Sequence, residues 1–315
     1  MLRIAHIISP VNAAAGTELA RVQPVTFETM RRAKAAAVDV AEVGLFTAQL
    51  PEDRPAVPEG FVPTPDLARA LPDVLPASKR RLPLLADVLQ RLYEATDADI
   101  LIYTNADIAL MPGFYRMVAQ YAAKGYDAFA INRRRISSRF NSVAQLDGMY
   151  AEAGEMHPGY DTLVFHRALF EKFQLGNVAV GLPCVDMAFL HNLIAFSKNF
   201  RLFTGKHLTF HIGMELVKTW GNSAESDFNK TEALAVVKKL YPHYNIANFP
   251  GANLPFFSRH YKWLMNPNFH YPTMLRLDRA QSSVPRRPRT KQPKEENKEP
   301  RFEKLVKKID FGDEY

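Results

Sequence analysis

Apolar positions along the chain recur with two different spacings, and these alternate. "RIAHIIS" is a short apolar run with a β-branched bias and reads as a first strand. "QPVTFETMRRAKAAA" has helical composition, with Thr26 and Glu28 near its start. "VDVAEVGLF" reads as a second strand. Residues 51–78, with "PEDRPAVPEGFVPTPD", read as a long loop carrying one helical turn near "DLARAL". In "LPLLADVLQRLYEATD" the residues Leu85, Val88, Leu89 and Leu92 recur at helical spacing, which predicts an amphipathic helix. "ADILIYT" is a third strand, "GFYRMVAQYAAKGY" a helix ending at Gly125, and "DAFAINR" a fourth strand.

Strands that alternate with helices in this way predict an α/β fold with a doubly wound, mostly parallel sheet. Such sheets bind ligands outside the carboxyl ends of their strands. Asn12, after the first strand, and Asn105 and Asp107, after the third, fall on that edge. Beyond residue 150 the pattern loosens. "DTLVFHRALFEKF" reads as a strand and a short helix, "CVDMAFLHNLIAFSKN" as a helix, and "FRLFTGKHLTFHIG" as a strand or hairpin. A further helix is predicted at "SDFNKTEALAVVKKLYP", followed by an aromatic, proline-rich stretch at 245–279. From 281 to 315 the chain is charged and poor in apolar residues, so a disordered tail is expected. Within it, the apolar spacing of "FEKLVKKI" allows a short helix formed on a partner or a membrane; a solvated tail is the alternative.

Composition narrows the class. A chain of 315 residues with 47% hydrophobic and 23% charged residues is ordinary for a globular protein with one or two domains. The single cysteine, Cys184, excludes a disulfide within the chain and fits a reducing compartment. The start, "MLRIAHIISPVNAAAG", is too broken for a secretory signal, and no apolar run approaches the ~20 residues of a membrane span. A cytoplasmic protein is expected. Of the net charge of +7, the tail carries +3, from ten Lys/Arg against seven Asp/Glu. No basic stripe interleaved with aromatics marks a nucleic-acid surface, so no nucleic-acid partner is expected. The surplus suits an anionic ligand, or a weak association of the tail with the acidic inner face of a membrane.

The candidate chemistry starts at "ILIYTNADIAL". Asn-x-Asp is common in turns. After a buried parallel strand it has a second reading, because a carboxylate there can bind Mn²⁺ or Mg²⁺, which prefer oxygen ligands. The arrangement resembles the GT-A fold of nucleotide-sugar-dependent glycosyltransferases, of the family-2-like kind. Asn105-Ala106-Asp107 is similar to their D-x-D motif with Asn in place of the first acid. The resemblance implies Asp107 as ligand of a divalent cation that bridges the donor's diphosphate, and Asn105 as a ribose contact. "GLPCVDMAFLHNLI" resembles the segment that opens the acceptor-side helix, with Val185 in place of a first acid and Asp186 as the second. That implies Asp186 as general base in an inverting enzyme; a carboxylate capping its helix is the competing reading. "KHLTFHIGM" resembles the late strand whose histidine completes the metal shell, which implies His211, with His207 as second candidate.

Other groups follow with less pattern behind them. Lys79, Arg80 and Arg81 precede a helix and could meet the diphosphate, Arg80 and Arg81 foremost. Asp87 could orient one of these arginines. Arg133, Arg134, Arg135 and Arg139 follow the fourth strand and fit either a phosphate or acceptor contact or a solvated loop. "HPGYDTLVFHR" offers His157, Tyr160 and Asp161, and the resemblance implies Asp161 on the acceptor side. Trp220 could stack on a sugar ring or fill the core. The resemblance implies one catalytic domain over 1–280, with a nucleotide-sugar half at 1–135 and an acceptor half at 136–280. It implies transfer of a sugar from a nucleoside-diphosphate donor to a glycan, lipid-linked or protein acceptor. A sugar nucleotidyltransferase is the rival enzyme, although "SPVNAAAG" lacks the glycine-rich loop such enzymes use. A catalytically inactive GT-A-like binding or scaffold protein is the rival outside enzymes.

Overall fold

The computed structural model describes residues 1–213, 223–266 and 268–281. The elements run β1 (Leu2–Ile8), α1 (Glu18–Ala35), β2 (Ala41–Thr47), β3 (Val62–Pro63) and α2 (Leu85–Ala95). Next come β4 (Ile100–Thr104), β5 (Ala109–Leu110), α3 (Phe114–Ala123), β6 (Ala128–Ile136), α4 (Leu146–Ala151) and β7 (Glu155–His166). The last described elements are α5 (Val185–Phe196), β8 (Phe200–Phe203), β9 (Thr209–Ile212), α6 (Ala224–Lys239), α7 (Phe256–Leu264) and α8 (Tyr271–Gln281). One sheet has the order β3-β2-β1-β4-β7-β6-β9-β5, with β8 also paired to β6. Neighbours from β3 to β4 run parallel, β7 lies antiparallel between β4 and β6, and β8 and β9 run parallel to β6. The expected mostly parallel α/β sheet is present, with the fourth predicted strand moved one place out by the antiparallel β7.

Alternation along the central strands feeds two cores. Ala5, Ile7, Leu101, Tyr103, Ala128, Ala130, Leu163 and Phe165 face one side, where they meet α2, α5 and α6. Ile4, Ile8, Ile100, Ile102, Phe129, Ile131 and Val164 face the other, against α1 and α3. Successive strand side chains point to opposite faces, so a strand covered on both sides must be apolar throughout. That is why β4, "ILIYT", is buried at every position. Helix α5 is apolar on all sides and buried from Met187 to Ile194. Its polar members are satisfied internally: His191 bonds the Tyr244 hydroxyl and the Asn268 carbonyl, and Asn192 bonds both backbone groups of Gln174.

Several expectations change. Helix α1 begins at Glu18, capped by the Thr17 hydroxyl, well before Gln23, and runs through Pro24. Residues 51–78 are more ordered than a loop, with 3₁₀ turns at Pro51–Ala56 and Leu71–Asp73 and the short edge strand β3 between them. Pro63 is tolerated there because an edge strand can spare a backbone donor. β7 begins six residues before Asp161. "FRLFTGKHLTFHI" forms no hairpin: β8 and β9 lie end to end along one side of β6. The expected division at 135/136 falls in β6. Trp220 and the tail from 282 onward lie outside the described residues, while Gln281 ends α8. Among the described residues no helix is long and apolar enough to cross a membrane.

Candidate functional site

The carboxyl ends of the parallel strands surround a cavity of about 730 Å³, within the range typical of small-ligand sites. Ser9, Pro10 and Val11 follow β1, Ala48, Gln49 and Leu50 follow β2, and Asn105, Ala106 and Asp107 follow β4. The antiparallel β7 brings the opposite end, His157 and Asp161, to the same edge. Gly181–Met187, leading into α5, forms the facing wall.

Asn105 to Ile108 is a turn, closed by a hydrogen bond from the Ile108 amide to the Asn105 carbonyl. The turn is the device that aims Asp107 into the cavity. It leads directly into β5, which pairs antiparallel with β9 (Ala109↔Phe210). This pairing brings His211 beside Asp107, with 3.4 Å between His211 Nε2 and Asp107 Oδ2. Glu18, in the first turn of α1, lies 3.9 Å from the same nitrogen. The Thr29 hydroxyl on α1 accepts the Leu110 amide and ties β5 to that helix. Asn105 Oδ1 accepts from the Tyr103 hydroxyl at 2.8 Å, which leaves the amide NH₂ as its donor.

A second cluster sits across the cavity. The β6–β7 ladder is irregular between Ile131 and Arg134. Such irregularities re-aim side chains, and here Arg133 turns into the site, where it ion-pairs with Asp161 and contacts His157 Nε2 at 3.3 Å. Asp186 lies in the first turn of α5, over β7 at Gly159, where an added Cβ would come within 3.7 Å of its Oδ2. Burial, then the neighbouring Asp161 carboxylate, pushes Asp186 up to about 6, although Arg133 and the amides of Asp186 and Tyr160 pull the other way. Arg133 is held above its ordinary value despite burial, because Asp161, Asp107 and Asp186 all favour its charge. Burial, then the same three carboxylates, raises the Tyr103 hydroxyl. Two independent groups thus sense one concentration of negative charge.

Asp186 is not the cap of its helix. Cys184 holds that position with φ 72°, and α5 has no side-chain cap bond. A non-glycine residue in the left-handed region carries strain, and such strain concentrates at functional sites. The loop before it is clamped from α6: Asn229 accepts the Ala179 amide at 2.7 Å and donates to the carbonyls of Ala179 and Pro183.

The remaining expected residues divide. Arg80 and Arg81 line the cavity, but Arg80 pairs with Glu225 at 3.3 Å and Arg81 with Glu52 at 2.5 Å, so neither side chain waits for a ligand uncommitted. Asn12 is not among the lining residues. Its amide donates to Asp53 and its side chain reaches the Glu52 carbonyl, so it holds the 3₁₀ turn whose Glu52 and Asp53 do line the cavity. His207 precedes β9 and does not line the cavity. Asp87 orients Arg69, not Arg80 or Arg81, through two hydrogen bonds. Arg134, Arg135 and Arg139 are bound to neighbouring carbonyls, Glu155 and Glu152. Gln49 and Asp53 were not legible as site residues, since each reaches the cavity through a loop or turn that the letters do not announce; Glu18, at a helix start, lies beside His211 without lining the cavity.

Among the described residues no three His, Cys, Asp or Glu side chains form a ready-made metal cluster. Asp107 and His211 nevertheless fit a small divalent ion. Two adjacent ligands at ~2.1 Å from one octahedral ion stand about 3 Å apart, close to the 3.4 Å observed. An ion with few protein ligands is what a site shared with substrate phosphates requires.

No protein-family model matches the chain. No curated protein matches it in sequence. In fold it is similar to TarS 1-349 of S. aureus, solved in complex with UDP-GlcNAc, at 11% identity over 83% of this chain and 73% of that one, with TM-score 0.50. Glucosyl-3-phosphoglycerate synthase of Mycobacterium tuberculosis, solved with Mg²⁺ and UDP, aligns at 14% identity over 75% of this chain and 80% of that one, with TM-score 0.43, too low to add weight. At such identities the likeness speaks to architecture: the chain has a mixed α/β fold of the GT-A glycosyltransferase type, with a mostly parallel sheet flanked by helices.

Proposed function

We propose that the protein is a glycosyltransferase that moves a sugar from a nucleoside-diphosphate donor to an acceptor hydroxyl with a divalent cation, Mn²⁺ or Mg²⁺. The observation that carries this reading is the sharing of one cavity by Asp107–His211 and Asp186–Asp161–Arg133. TarS, which is similar in fold, was solved with UDP-GlcNAc, a donor of the class this reading requires.

Asp107 and His211 would hold the cation, with Glu18 within reach of the same histidine. Bound there, the cation neutralises charge on the leaving diphosphate. Asn105 donates its amide to a ribose hydroxyl. Arg80 and Arg81 reach phosphate by exchanging Glu225 and Glu52 for it, as a charge-assisted pair permits. Asp186 takes the acceptor's proton while the acceptor oxygen forms its bond to the anomeric carbon, and the bond to the diphosphate oxygen breaks with its electron pair on that oxygen. Asp161 and Arg133 position Asp186 and set its affinity for the proton. A carboxylate held near 6 is a competent base at neutral pH. The acceptor is a hydroxyl of a glycan, a lipid-linked sugar or a protein, in the cytoplasm.

Thermal-shift titration with UDP, GDP, CMP and dTDP, with and without Mn²⁺, tests the donor site. The expected result is a nucleotide-selective rise that needs Mn²⁺ and nucleotide together, because two protein ligands bind the ion weakly alone. It is lost in Asp107→Ala and His211→Ala. Metal-independent nucleotide binding that survives Asp107→Ala would remove the metal assignment. Absence of any nucleotide shift would favour a GT-A-shaped binding protein.

A further inference from the structure

Of the nine large apolar side chains exposed among the described residues, five fall between Phe256 and Met265. Phe257 is 85% exposed, Tyr261 58%, Leu264 59% and Met265 62%. These four recur at i, i+4, i+7 and i+8, so they form one stripe along α7 and its last turn. The opposite face is the one that packs. Arg259, His260 and Trp263 are buried, the Trp263 indole donates to the Pro250 carbonyl, and Arg259 and His260 both bond Asp278 of α8 at 2.6 and 2.9 Å. The apolar stripe is therefore not a core face awaiting its partner within the fold. The helix already has its core face, and among the described residues nothing covers its second, apolar face.

The exposed charge on α7 and α8 has one sign. From Pro255 to Gln281 the single acid is Asp278, which is buried and paired with Arg259, while Lys262, Arg276 and Arg279 are exposed. The chain beyond Gln281 adds ten Lys/Arg against seven Asp/Glu. A helix lying in a membrane interface combines these features: aromatic and aliphatic side chains on one face and cations beside them. Two other occupants suit the stripe less well. A two-fold contact with a second copy would bring the same cation-bearing surface of α7 and α8 against itself. The apolar-spaced segment from Phe302 to Ile309 carries Lys304, Lys307 and Lys308 against Glu303, again cation against cation.

We infer that α7 docks this protein on an anionic lipid surface, with Phe257, Tyr261, Leu264 and Met265 entering the interface and Lys262, Arg276 and Arg279 meeting lipid phosphates. The inference is independent of the proposed glycosyl transfer.

Flotation of the full chain with vesicles of phosphatidylcholine, or of phosphatidylcholine with about 30% phosphatidylglycerol, tests it. The expected outcome is binding to the anionic vesicles that weakens with salt, and that falls at least about tenfold in the double variant Phe257→Ser, Leu264→Ser. Both side chains are exposed, so the variant should melt with the wild type, and circular dichroism checks this. Failure of the wild type to float with anionic vesicles overturns the inference. So does undiminished binding by the double variant, which would place attachment in the tail alone. Concentration-dependent dimerisation that the double variant abolishes, without vesicle binding, overturns it in favour of a second copy.

Discussion

Asp186 carries the sharpest residue-scale expectation. As a base it must be deprotonated, so kcat/KM should rise with pH through about 6 and then level off. The same displacement has a stability consequence. Its folded value lies above the ordinary carboxylate value near 3.9, so its contribution to stability is greatest below about pH 4 and is lost as pH rises through about 6. Asp186→Asn should therefore stabilise the protein by on the order of 1–3 kcal/mol at pH 8, with little gain at pH 4, while transfer falls by several orders of magnitude. Chemical denaturation at the two pH values measures the first effect, and product formation the second. A carboxylate that merely capped α5 would lose stability on this change. Arg133 complements the picture from the other side. Arg133→Met should raise the pH at which the acidic limb falls, because it removes the cation that favours ionised Asp186.

At the scale of elements, the site depends on pieces that tie loops to rigid supports. Asn229 on α6 fixes the Ala179–Pro183 loop that leads to the strained Cys184. Asn229→Ala leaves buried amide and carbonyl groups without partners, which costs about 2–4 kcal/mol. It should also weaken ligand binding beyond what the stability loss explains, which titration calorimetry well below the melting temperature would show. Asn229 itself is fully buried, although Lys230 and Thr231 beside it are exposed. The pairing of β5 with β9 has a comparable role, since it brings His211 beside Asp107. Thr29→Val on α1 removes the hydroxyl that accepts the Leu110 amide. The expected result is a loss of Mn²⁺–nucleotide affinity of several-fold, with an unchanged acidic limb in the pH profile, because Asp186 is supported from β7 and α5.

For the whole molecule, every described cavity-lining group lies between Ser9 and Asn268, and Met1–Gln281 form one compact unit. A chain ending at Gln281 should keep its melting temperature within a few degrees and keep the Mn²⁺–nucleotide shift, while its vesicle binding falls. Loss of the nucleotide shift would show that residues beyond Gln281 complete the site. How far the letters reached follows from the range of each interaction. The helix at Leu85–Ala95, the buried strand at Ile100–Thr104 and the placing of Asp107 at a strand end were all legible, because periodicity and turn chemistry are local. So was the likeness to a GT-A fold, since strands and helices in that order leave few ways to build a sheet. Tertiary structure alone decided the rest. It inserted β7 antiparallel, turned Arg133 inward at an irregular ladder, committed Arg80 and Arg81 to glutamates, and gave Asn12 a structural task. Each of these is set by partners far away in the chain. The pattern of a segment records which face it must bury, but not which distant side chain will meet it there.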